Sequence, residues 1–572
     1  MEKIWQVVPS ASQDFIDQFP EYSRVFLQLL FNRGLKTKEE IDDFLNSSYG
    51  DLSSPLSFKN MEKAVDLIIS HIKNQDKILV YGDYDADGVT SSVLLIEILS
   101  ILKAKAEVYI PARASEGYGL NQKAIEEFLK NDIKLLITVD AGIRDKERIE
   151  FAIAKGMDVI VTDHHTAPEE GDLPKCLLIN PNVIGENYPF KFLAGVGVAY
   201  KLAVALIERA KLEPEVKEKL KQQSLDLVAI GTVADCVTLL GENRILVREG
   251  LKVLNLNKRV GLRELIKVSQ INKELETWNI GFQIGPRLNA AGRMGHATTA
   301  FQLLMTKDKE EATALALNLN DKNTQRQRIT EEIMAEVENQ IKNNQDDKII
   351  IGVCPIKKEQ EADIWNEGVI GLVAGKICDK YYRPVLVITQ AEDGYKGSGR
   401  SVDEFNIVAA IEEASEFLTR YGGHPAACGF SLLADNLDKF TQKMRAIATR
   451  ELAEVNLQPK VKVEMEIKLN EIDESFMADI EKFFPFGQNN AQPKFVTRGA
   501  QVKDIMNMGC DGQHLKLRFN GLWAIAFGRS EVWKEFKIGD LVDIVYNVER
   551  NNFNGRSELQ LKLVDIKSSN IQ

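Results

Sequence analysis

Three aspartates stand at alternate positions directly after a short apolar run. Asp83, Asp85 and Asp87 follow Ile78–Tyr81, with Gly82 between the run and the first acid, and a helical pattern comes next. Carboxylates that leave a buried strand repel one another and are costly to desolvate, and cations offset that cost. The spacing therefore predicts a metal site at the end of a strand.

A calcium loop of the EF-hand type is the alternative interpretation of this segment. Asp83, Asp85, Asp87 and Gly88 fit loop positions 1, 3, 5 and 6. Position 12 should be a bidentate Glu, but it is Leu94, and a strand precedes the loop where a helix should stand. The sequence therefore disfavours calcium.

Acids and imidazoles also follow later apolar segments. Asp140 follows Leu135–Val139, the triplet Asp163-His164-His165 follows Val159–Thr162, and Asp235 ends a further apolar segment. Groups at the carboxyl ends of parallel strands meet at one edge of the sheet, where ligands bind. Carboxylates mixed with one or two imidazoles favour Mn²⁺ or Mg²⁺ over structural zinc. More than four such ligands suit two ions about 3.5–4 Å apart, an arrangement that supports displacement at phosphorus.

Together these motifs resemble those of the DHH phosphoesterase superfamily. The matching segments are Asp83–Gly88, Val139–Gly142, Asp163–His165 and Val233–Asp235. Further along, Tyr421–Phe430 resembles the glycine-glycine-histidine motif of the DHH-associated domain. The resemblance covers most of the chain, and the order of parts is similar to that of the superfamily's single-strand-specific exonucleases.

The resemblance implies a centre that holds two Mn²⁺ or Mg²⁺ ions. The ligands it implies are Asp85, Asp87, Asp140, His164 and Asp235. Asp87 and Asp140 are the expected bridging ligands, and Asp83 would support the site or join one ion. His165 would contact the scissile phosphate or help to place the attacking water, which makes it catalytic together with Asp87 and Asp140. Asp163 would orient an imidazole, since metal-bound imidazoles usually need such a partner.

Several segments contain residues suited to holding a phosphodiester strand. Arg113 could pair with phosphate and Tyr118 could stack on a base. Two glycine-bearing segments, expected to be loops, carry further arginines beside small residues that admit a phosphate close to the backbone. The resemblance favours a substrate-binding role for nine residues: Arg113, Tyr118, Arg287, Asn289, Arg293, Ser398, Arg400, Ser401 and His424.

The apolar pattern that must position these groups predicts an α/β multidomain protein. Short runs alternate with helical patterns between about residues 55 and 205, which is typical of a parallel sheet with crossover helices. With the resemblance, five parts are expected: an N-terminal helical segment (1–55), the parallel-sheet DHH phosphoesterase core (56–205), a helical segment that completes the core and includes a long connecting helix (206–345), a second α/β domain, the DHH-associated domain (346–455), and an OB-fold-like β-barrel (456–572).

Composition bounds the class of protein. The 572 residues are 44% hydrophobic and 27% charged, as in ordinary multidomain globular proteins. No apolar run reaches about 18 residues, so no membrane span is expected. No signal peptide is expected at the N-terminus, and six scattered cysteines without a C-x-x-C spacing fit reduced thiols in the cytoplasm. The net charge of −12 does not by itself indicate a nucleic-acid binder, but metals and a few placed arginines can hold a phosphodiester.

The resemblance implies a metal-dependent exonuclease that degrades single-stranded DNA from a free 5′ end to 5′ mononucleotides, in DNA repair and recombination. It also implies a single-strand-binding protein and a RecQ-type helicase as partners. One alternative is a DHH phosphodiesterase that acts on short oligoribonucleotides or cyclic dinucleotides, for which this chain is long. The other is a non-catalytic replication scaffold, a class that loses its metal ligands, whereas every expected ligand position is filled here.

Overall fold

The computed structural model describes residues 2–113, 116–117, 119–342, 346–355, 364–509, 511–553 and 556–569. The chain divides into two compact units. One unit comprises Met1–Asp51, Thr238–Ile245 and Gln458–Gln572, and the other comprises Leu52–Val237 and Leu246–Leu457. No helix in the described part of the chain is long and apolar enough to cross a membrane.

The strands run in chain order as follows: β1 (Ile4–Val7), β2 (Lys77–Gly82), β3 (Lys105–Tyr109), β4 (Ile133–Val139), β5 (Asp158–Thr162), β6 (Leu177–Ile179), β7 (Ile350–Val353), β8 (Val385–Ala391), β9 (Gly394–Arg400), β10 (Arg420–His424), β11 (Ala427–Leu432), β12 (Lys460–Val463), β13 (Met465–Glu466), β14 (Phe495–Met508), β15 (His514–Phe519), β16 (Leu522–Ala526), β17 (Leu541–Phe553) and β18 (Arg556–Ser568).

The helices are α1 (Gln13–Gln18), α2 (Arg24–Asn32), α3 (Lys38–Asn46), α4 (Met61–Asn74), α5 (Ala86–Ile101), α6 (Gln122–Lys130), α7 (Lys146–Ala154), α8 (Gly195–Arg209), α9 (Pro214–Gln223), α10 (Leu225–Ala234), α11 (Gly241–Asn255), α12 (Val260–Val268), α13 (Thr277–Asn279), α14 (Gly285–Met294), α15 (Thr298–Met305), α16 (Lys309–Ile341), α17 (Glu367–Tyr381), α18 (Ile407–Glu413), α19 (Leu437–Glu451) and α20 (Glu474–Glu481). A π-helical segment, Ile280–Ile284, joins α13 to α14.

A five-stranded parallel sheet in the order β3-β2-β4-β5-β6 forms the core of the larger unit. Almost every residue of β2 and β4 is buried, because helices cover both faces, and this explains their nearly continuous apolar sequences. The register aligns the strand ends, since Gly82 pairs with Val139 and Val139 pairs with Thr162. The acids that follow these three residues therefore emerge side by side, which confirms the expected parallel sheet and its edge.

The second sheet of the larger unit has the order β10-β11-β9-β8-β7. β7 and β8 are parallel and the other pairs are antiparallel. The 33-residue helix α16 precedes it, beginning after Asp308, whose carboxylate accepts the backbone N–H of Glu311 at 2.8 Å. This is the long connecting helix expected from the sequence.

Two segments expected to be loops are regular elements. Arg287–Gly295 lies almost wholly in α14, and residues 396–400 lie in β9. Their glycines serve close packing instead of turning. A Cβ on Gly397 would lie 2.1 Å from the Phe430 ring, and a Cβ on Gly292 would lie 2.7 Å from the carbonyl oxygen of Tyr84. The glycine content of these segments predicted turns. The glycines are needed instead because neighbouring elements leave no room for a side chain at these positions.

The C-terminal strands close into a barrel in the smaller unit. The order is β13-β14-β15-β16-β18-β17, and β14 also pairs with β17, so the sheet has the closed form expected of an OB-like fold. Phe519 and Tyr546 are fully buried in its core, whereas Phe527 is 54% exposed. The N-terminal segment contains β1, which pairs with β12, as well as the expected helices. The sequence Asn554-Gly555, a pair that favours a tight hairpin turn, lies outside the described residues.

Candidate metal centre

Asp85 caps the helix that leaves the central strand. Its Oδ1 accepts the backbone N–H groups of Asp87 at 3.0 Å and Gly88 at 3.1 Å, which satisfies donors at the start of α5. The N–H of Ala86, one position earlier, donates to Asn289 Oδ1 at 2.7 Å. A Cβ on Gly88 would lie 2.6 Å from the backbone nitrogen of Asp83, so only glycine allows the helix to begin this close to the strand end.

Asp87 lies against the N-terminus of α8. The backbone N–H of Gly195 donates to its Oδ2 at 2.7 Å, and that of Val196 donates to its Oδ1 at 2.8 Å. These donors and the helix dipole stabilise a buried carboxylate without bringing in a competing cation. A Cβ on Gly195 would lie 2.5 Å from Asp140 Oδ1, and one on Gly231 would lie 2.7 Å from Asp87 Oδ1. Both glycines are therefore required by the carboxylates beside them.

Asp140 follows β4 with a left-handed backbone, at φ 59°. Its N–H donates to the carbonyl oxygen of Thr162 at 3.0 Å, which continues the sheet for one more residue. Aspartate tolerates this conformation better than most residues, and such strain is characteristic of functional sites. Asp140 is 3% exposed, and it lies close enough to Asp87 for the charge of Asp87 to contribute to raising its pKa.

Asp163 is fully buried and organises the two histidines that follow it. Its Oδ1 accepts the backbone N–H of His164 at 2.7 Å and lies 2.7 Å from His165 Nδ1, while its Oδ2 accepts the N–H of Ile143 at 3.0 Å. Burial opposes ionisation, but these hydrogen bonds outweigh it and hold the pKa of Asp163 below its usual range. Asp163 therefore orients the imidazoles.

The ring of His164 lies between two acids. Its Nε2 lies 3.2 Å from Asp140 Oδ1 and 3.6 Å from Asp235 Oδ2. Burial and the neighbouring His165 lower the pKa of His164 to about 4, so its imidazole is neutral, as a metal ligand must be. His164 Nε2 and Asp83 Oδ1 are buried and make no hydrogen bond with any described residue. Two buried acceptor atoms without donors fit positions that cations would occupy.

The expected ligands come together as sets with donor atoms within 4.8 Å of one another. The sets are Asp83, Asp85 and Asp140; Asp87, His164 and Asp235; and Asp140, His164 and His165. The first two sets share no residue, so the centre has donors for two ions, and Asp140 belongs to two sets. Carboxylate oxygens with imidazole nitrogen suit Mn²⁺ and Mg²⁺.

Burial and mutual repulsion raise the pKa values of the central carboxylates. Burial, followed by the charge of Asp85, raises the pKa of Asp87 to about 7 and that of Asp83 well above its usual value. Burial and the charge of Asp87 act in the same way on Asp140 and raise the pKa of Asp235 to about 9. The protein alone does not neutralise this cluster, so cations are needed to hold all the acids ionised.

Arginines without acidic partners lie close to the metal centre. The Arg113 guanidinium lies 5.0 Å from the centre of the Tyr84 ring, and Arg293 donates to the carbonyl oxygen of Gly368 at 2.9 Å. Burial, followed by the charges of Arg113 and another arginine, lowers the pKa of Arg293 to about 10. Burial also lowers the pKa of Arg400, with a smaller contribution from Arg113. No described acidic side chain pairs with these guanidinium groups, which fit a bound anion.

The remaining substrate-binding candidates are distributed over α14 and the second sheet. Arg287 donates to the carbonyl oxygen of Gln283 at 2.8 Å. Ser398 lies in β9, two positions before Arg400 and therefore on the same face of the strand. Ser401 Oγ donates to the carbonyl oxygen of Phe405 at 2.7 Å, and His424 is exposed at the end of β10. Asn289 is bound to the start of α5, as described above. Tyr118 lies outside the described residues.

Sequence reasoning missed two residues of this region. Arg326 on α16 has a buried Nε without a hydrogen-bond partner among the described residues, and burial and the charge of Arg287 lower its pKa. Glu116 holds the segment that carries Arg113, because its carboxylate accepts the N–H of Ala112 at 2.5 Å and the Tyr109 hydroxyl at 2.5 Å. Arg326 stands in a charge-rich helical pattern, and no sequence signal separates it from solvated neighbours.

Three segments of the chain match known protein families. Residues 77–232 match the DHH family N-terminal domain, residues 346–450 match the DHHA1 domain, and residues 463–565 match the RecJ OB domain.

Relatives and solved structures match almost the whole chain. The single-stranded-DNA-specific exonuclease RecJ of Bacillus subtilis is 36% identical over 556 residues, which cover 95% of this chain and 68% of that protein. The crystal structure of Thermus thermophilus RecJ in complex with Mn²⁺ has a TM-score of 0.83 at 28% identity, covering 99% of this chain and 79% of that one. The complex of the same protein with Mg²⁺ has a TM-score of 0.76 at 27% identity, with 99% and 78% coverage. The chain belongs to the RecJ family.

Proposed function

We propose that the protein is a metal-dependent exonuclease that degrades single-stranded DNA in the 5′→3′ direction to 5′ mononucleotides, in DNA repair and recombination. The observation that carries the proposal is the donor set for two Mn²⁺ or Mg²⁺ ions at the strand ends, beside arginines with which no described acid pairs. We infer single-stranded DNA as the substrate from membership of the RecJ family. The relatives are single-stranded-DNA-specific exonucleases, and two of their structures hold Mn²⁺ or Mg²⁺.

The residues of the centre divide the work of hydrolysis. When bound, two ions at such a site activate a water molecule and stabilise the leaving 3′-oxygen. We assign their ligation to the six side chains Asp83, Asp85, Asp87, Asp140, His164 and Asp235. Burial alone would lower the pKa of His165, but the hydrogen bond and charge of Asp163 outweigh it and raise that pKa. A raised pKa favours the protonated form of His165, which suits contact with a phosphoryl oxygen.

The arginines and neighbouring hydroxyl groups are assigned to the strand. Arg113 lies close enough to Arg400 for its charge to contribute to lowering the pKa of Arg400, and no acid in the described part of the chain pairs with either guanidinium. Ser398 of β9 faces α17, since a Cβ on Gly371 of that helix would lie 3.1 Å from its Oγ. A terminal phosphate held here would place the first linkage at the metal centre, which explains a requirement for a 5′ end.

Two finer assignments complete the proposal. A single-strand-binding protein and a RecQ-type helicase are the proposed partners, because an enzyme of this specificity consumes a strand that another protein must separate and keep unpaired. The cytoplasm is the proposed compartment, supported by Cys176, Cys236, Cys378 and Cys428, none of which forms a disulfide among the described residues. The five-part division of the chain given above remains the proposed domain organisation.

The experiment that tests the function offers several substrates at equal concentration with Mn²⁺. These are end-labelled single-stranded DNA, duplex DNA, short RNA and a cyclic dinucleotide. Mononucleotides should appear first from the 5′ end of single-stranded DNA, and a 3′ label should remain on the shortening strand. Preference for short RNA or the cyclic dinucleotide would overturn the proposal in favour of another DHH phosphodiesterase.

Replacement of Asp85 by asparagine tests the metal centre while preserving the start of α5. The amide oxygen of Asp85→Asn still caps the helix, but it brings no charge to an ion. Nucleotide release from single-stranded DNA should fall about 1000-fold or more, while the melting temperature without metal is retained. Asp473→Asn is the matched control, since Asp473 caps α20 and accepts the N–H of Phe476 at 2.9 Å. Activity that survives Asp85→Asn would exclude this ligand.

Replacement of Asp235 by asparagine tests the repulsion between the acids. An aspartate whose pKa is raised on folding binds its proton more tightly in the folded state, so it destabilises the metal-free protein as pH rises towards about 9. Asp235→Asn should therefore stabilise the protein in EDTA by about 0.5–2 kcal/mol, more at pH 9 than at pH 6. Thermal melts with and without Mn²⁺ measure this difference. Equal stabilisation of both proteins by Mn²⁺ would show that Asp235 is not a ligand.

Removal of a strand-holding arginine should change affinity more than turnover. Arg400→Ala and Arg287→Ala each remove a charged contact made in both the ground state and the transition state, so KM should rise about 10-fold or more with a smaller change in kcat. Arg450→Ala is the control, because Arg450 forms only surface ion pairs, including one with Glu413 at 2.6 Å. A fall in kcat with unchanged KM would place the altered arginine in the chemistry instead.

A further inference from the structure

Two large aromatic side chains are stacked on each other at the surface of the larger unit. Trp278 is 53% exposed and Phe282 is 69% exposed. Their ring centres lie 5.5 Å apart with an angle of 24° between the planes, and the residues stand one helical turn apart. An exposed aromatic pair of this size is apolar surface that the fold leaves uncovered, which calls for a functional explanation.

The backbone beneath the pair is irregular. Phe282 lies in the π-helical segment, in which Ile280 and Ile284 are fully buried. Asn279 Nδ2 donates to Gln283 Oε1 at 2.8 Å across this turn. π-Helical turns are rare and occur frequently at functional sites. The segment thus anchors its apolar side in the core and presents both aromatic rings to solvent.

This helix leads directly to the metal centre. A Cβ on Gly281 would lie 3.9 Å from Val233, and one on Gly285 would lie 3.3 Å from Ala234, the residue before the ligand Asp235. Further along the same helix, Asn289 binds the start of α5. Trp278 and Asn289 are eleven positions apart, which corresponds to about 16 Å along a helix. The aromatic pair therefore stands outside the centre but on an element that contacts it.

Positive charge lies between the pair and the centre. Arg287 is half-buried on α14, and burial lowers its pKa. Arg326 on α16 lies close enough for the charge of Arg287 to contribute to lowering its pKa. Neither guanidinium forms an ion pair with an acid among the residues that the structure describes. In a chain of net charge −12, two adjacent arginines without acids favour an anionic polymer over a protein surface.

We propose that Trp278 and Phe282 form a stacking platform for bases of the single strand that follow the terminal nucleotides, with Arg287 and Arg326 holding phosphates between the platform and the metal centre. Unpaired bases expose the faces that stack on aromatic rings, whereas a duplex hides them. The platform rests on the proposed function and deepens it, because it makes affinity depend on strand length and on unpaired bases.

The test compares two substrates on the double variant Trp278→Ala/Phe282→Ala. A single strand of about 20 nucleotides reaches the platform, but a dinucleotide does not. The KM for the long strand should rise about 10-fold, with kcat and the dinucleotide KM changed less than twofold. Trp278→Phe/Phe282→Tyr keeps the stacking surface and should behave as the wild type. Leu256→Ala removes another side chain that is 60% exposed and serves as the matched control.

A direct binding measurement separates loss of stacking from loss of folding. An oligonucleotide that carries 2-aminopurine should lose fluorescence on binding to an Asp85→Asn protein, because the base stacks, and should keep it when Trp278 and Phe282 are alanine. Normal melting of the variant is checked in parallel. An unchanged KM for the long strand in the double variant would overturn the platform and would favour a protein-binding role for Trp278 and Phe282. Failure of the wild type to degrade single-stranded DNA would instead overturn the proposed function itself.

Discussion

The concentration of buried carboxylates is the constraint on which the rest of the larger unit depends. Asp83, Asp87 and Asp140 are each at most 5% exposed, and burial, followed by the charges of neighbouring acids, raises the pKa of each. A fold gains nothing from such a cluster unless cations occupy it, because unpaired buried charge is strongly destabilising. The buried acids therefore lower the stability of the metal-free protein, and they provide the ligands for ion binding.

The surrounding elements restrict how that repulsion can be relieved. A lysine or arginine beside Asp87 would neutralise it but would also compete with an ion. The start of α8 supplies two backbone N–H groups instead, which orient both oxygens and leave the net charge of the centre negative. The glycine at position 195 is then obligatory, since any side chain there would displace Asp140. Register, helix dipole and glycine positions are thus consequences of the same electrostatic requirement.

The sequence predicted the acidic centre because its signals are local. Each acid follows an apolar run, and parallel strands of equal register bring their ends together without further information. Arg326 and Glu116 were missed because their importance comes from neighbours that are distant in sequence or from a loop conformation. Glycine in β9 and α14 was misinterpreted for a related reason. It predicts a turn when only local preference is considered, but Phe430 and Tyr84 require it through tertiary contact.

The Tyr84 segment joins the negative and positive halves of the site. Its flanking residues, Asp83 and Asp85, face the metal centre, while its ring lies under Arg113 and its carbonyl oxygen lies against Gly292 of α14. On the proposed assignment, a strand phosphate bound by Arg113 would lie close to the carboxylates of Asp83 and Asp85. A terminal phosphate monoester carries up to about two negative charges, whereas an internal linkage carries one. Arginines that no described acid pairs with would bind the monoester more strongly, so, on the proposed assignment, the charge separation that permits the acidic centre would also favour a strand end over a continuous strand.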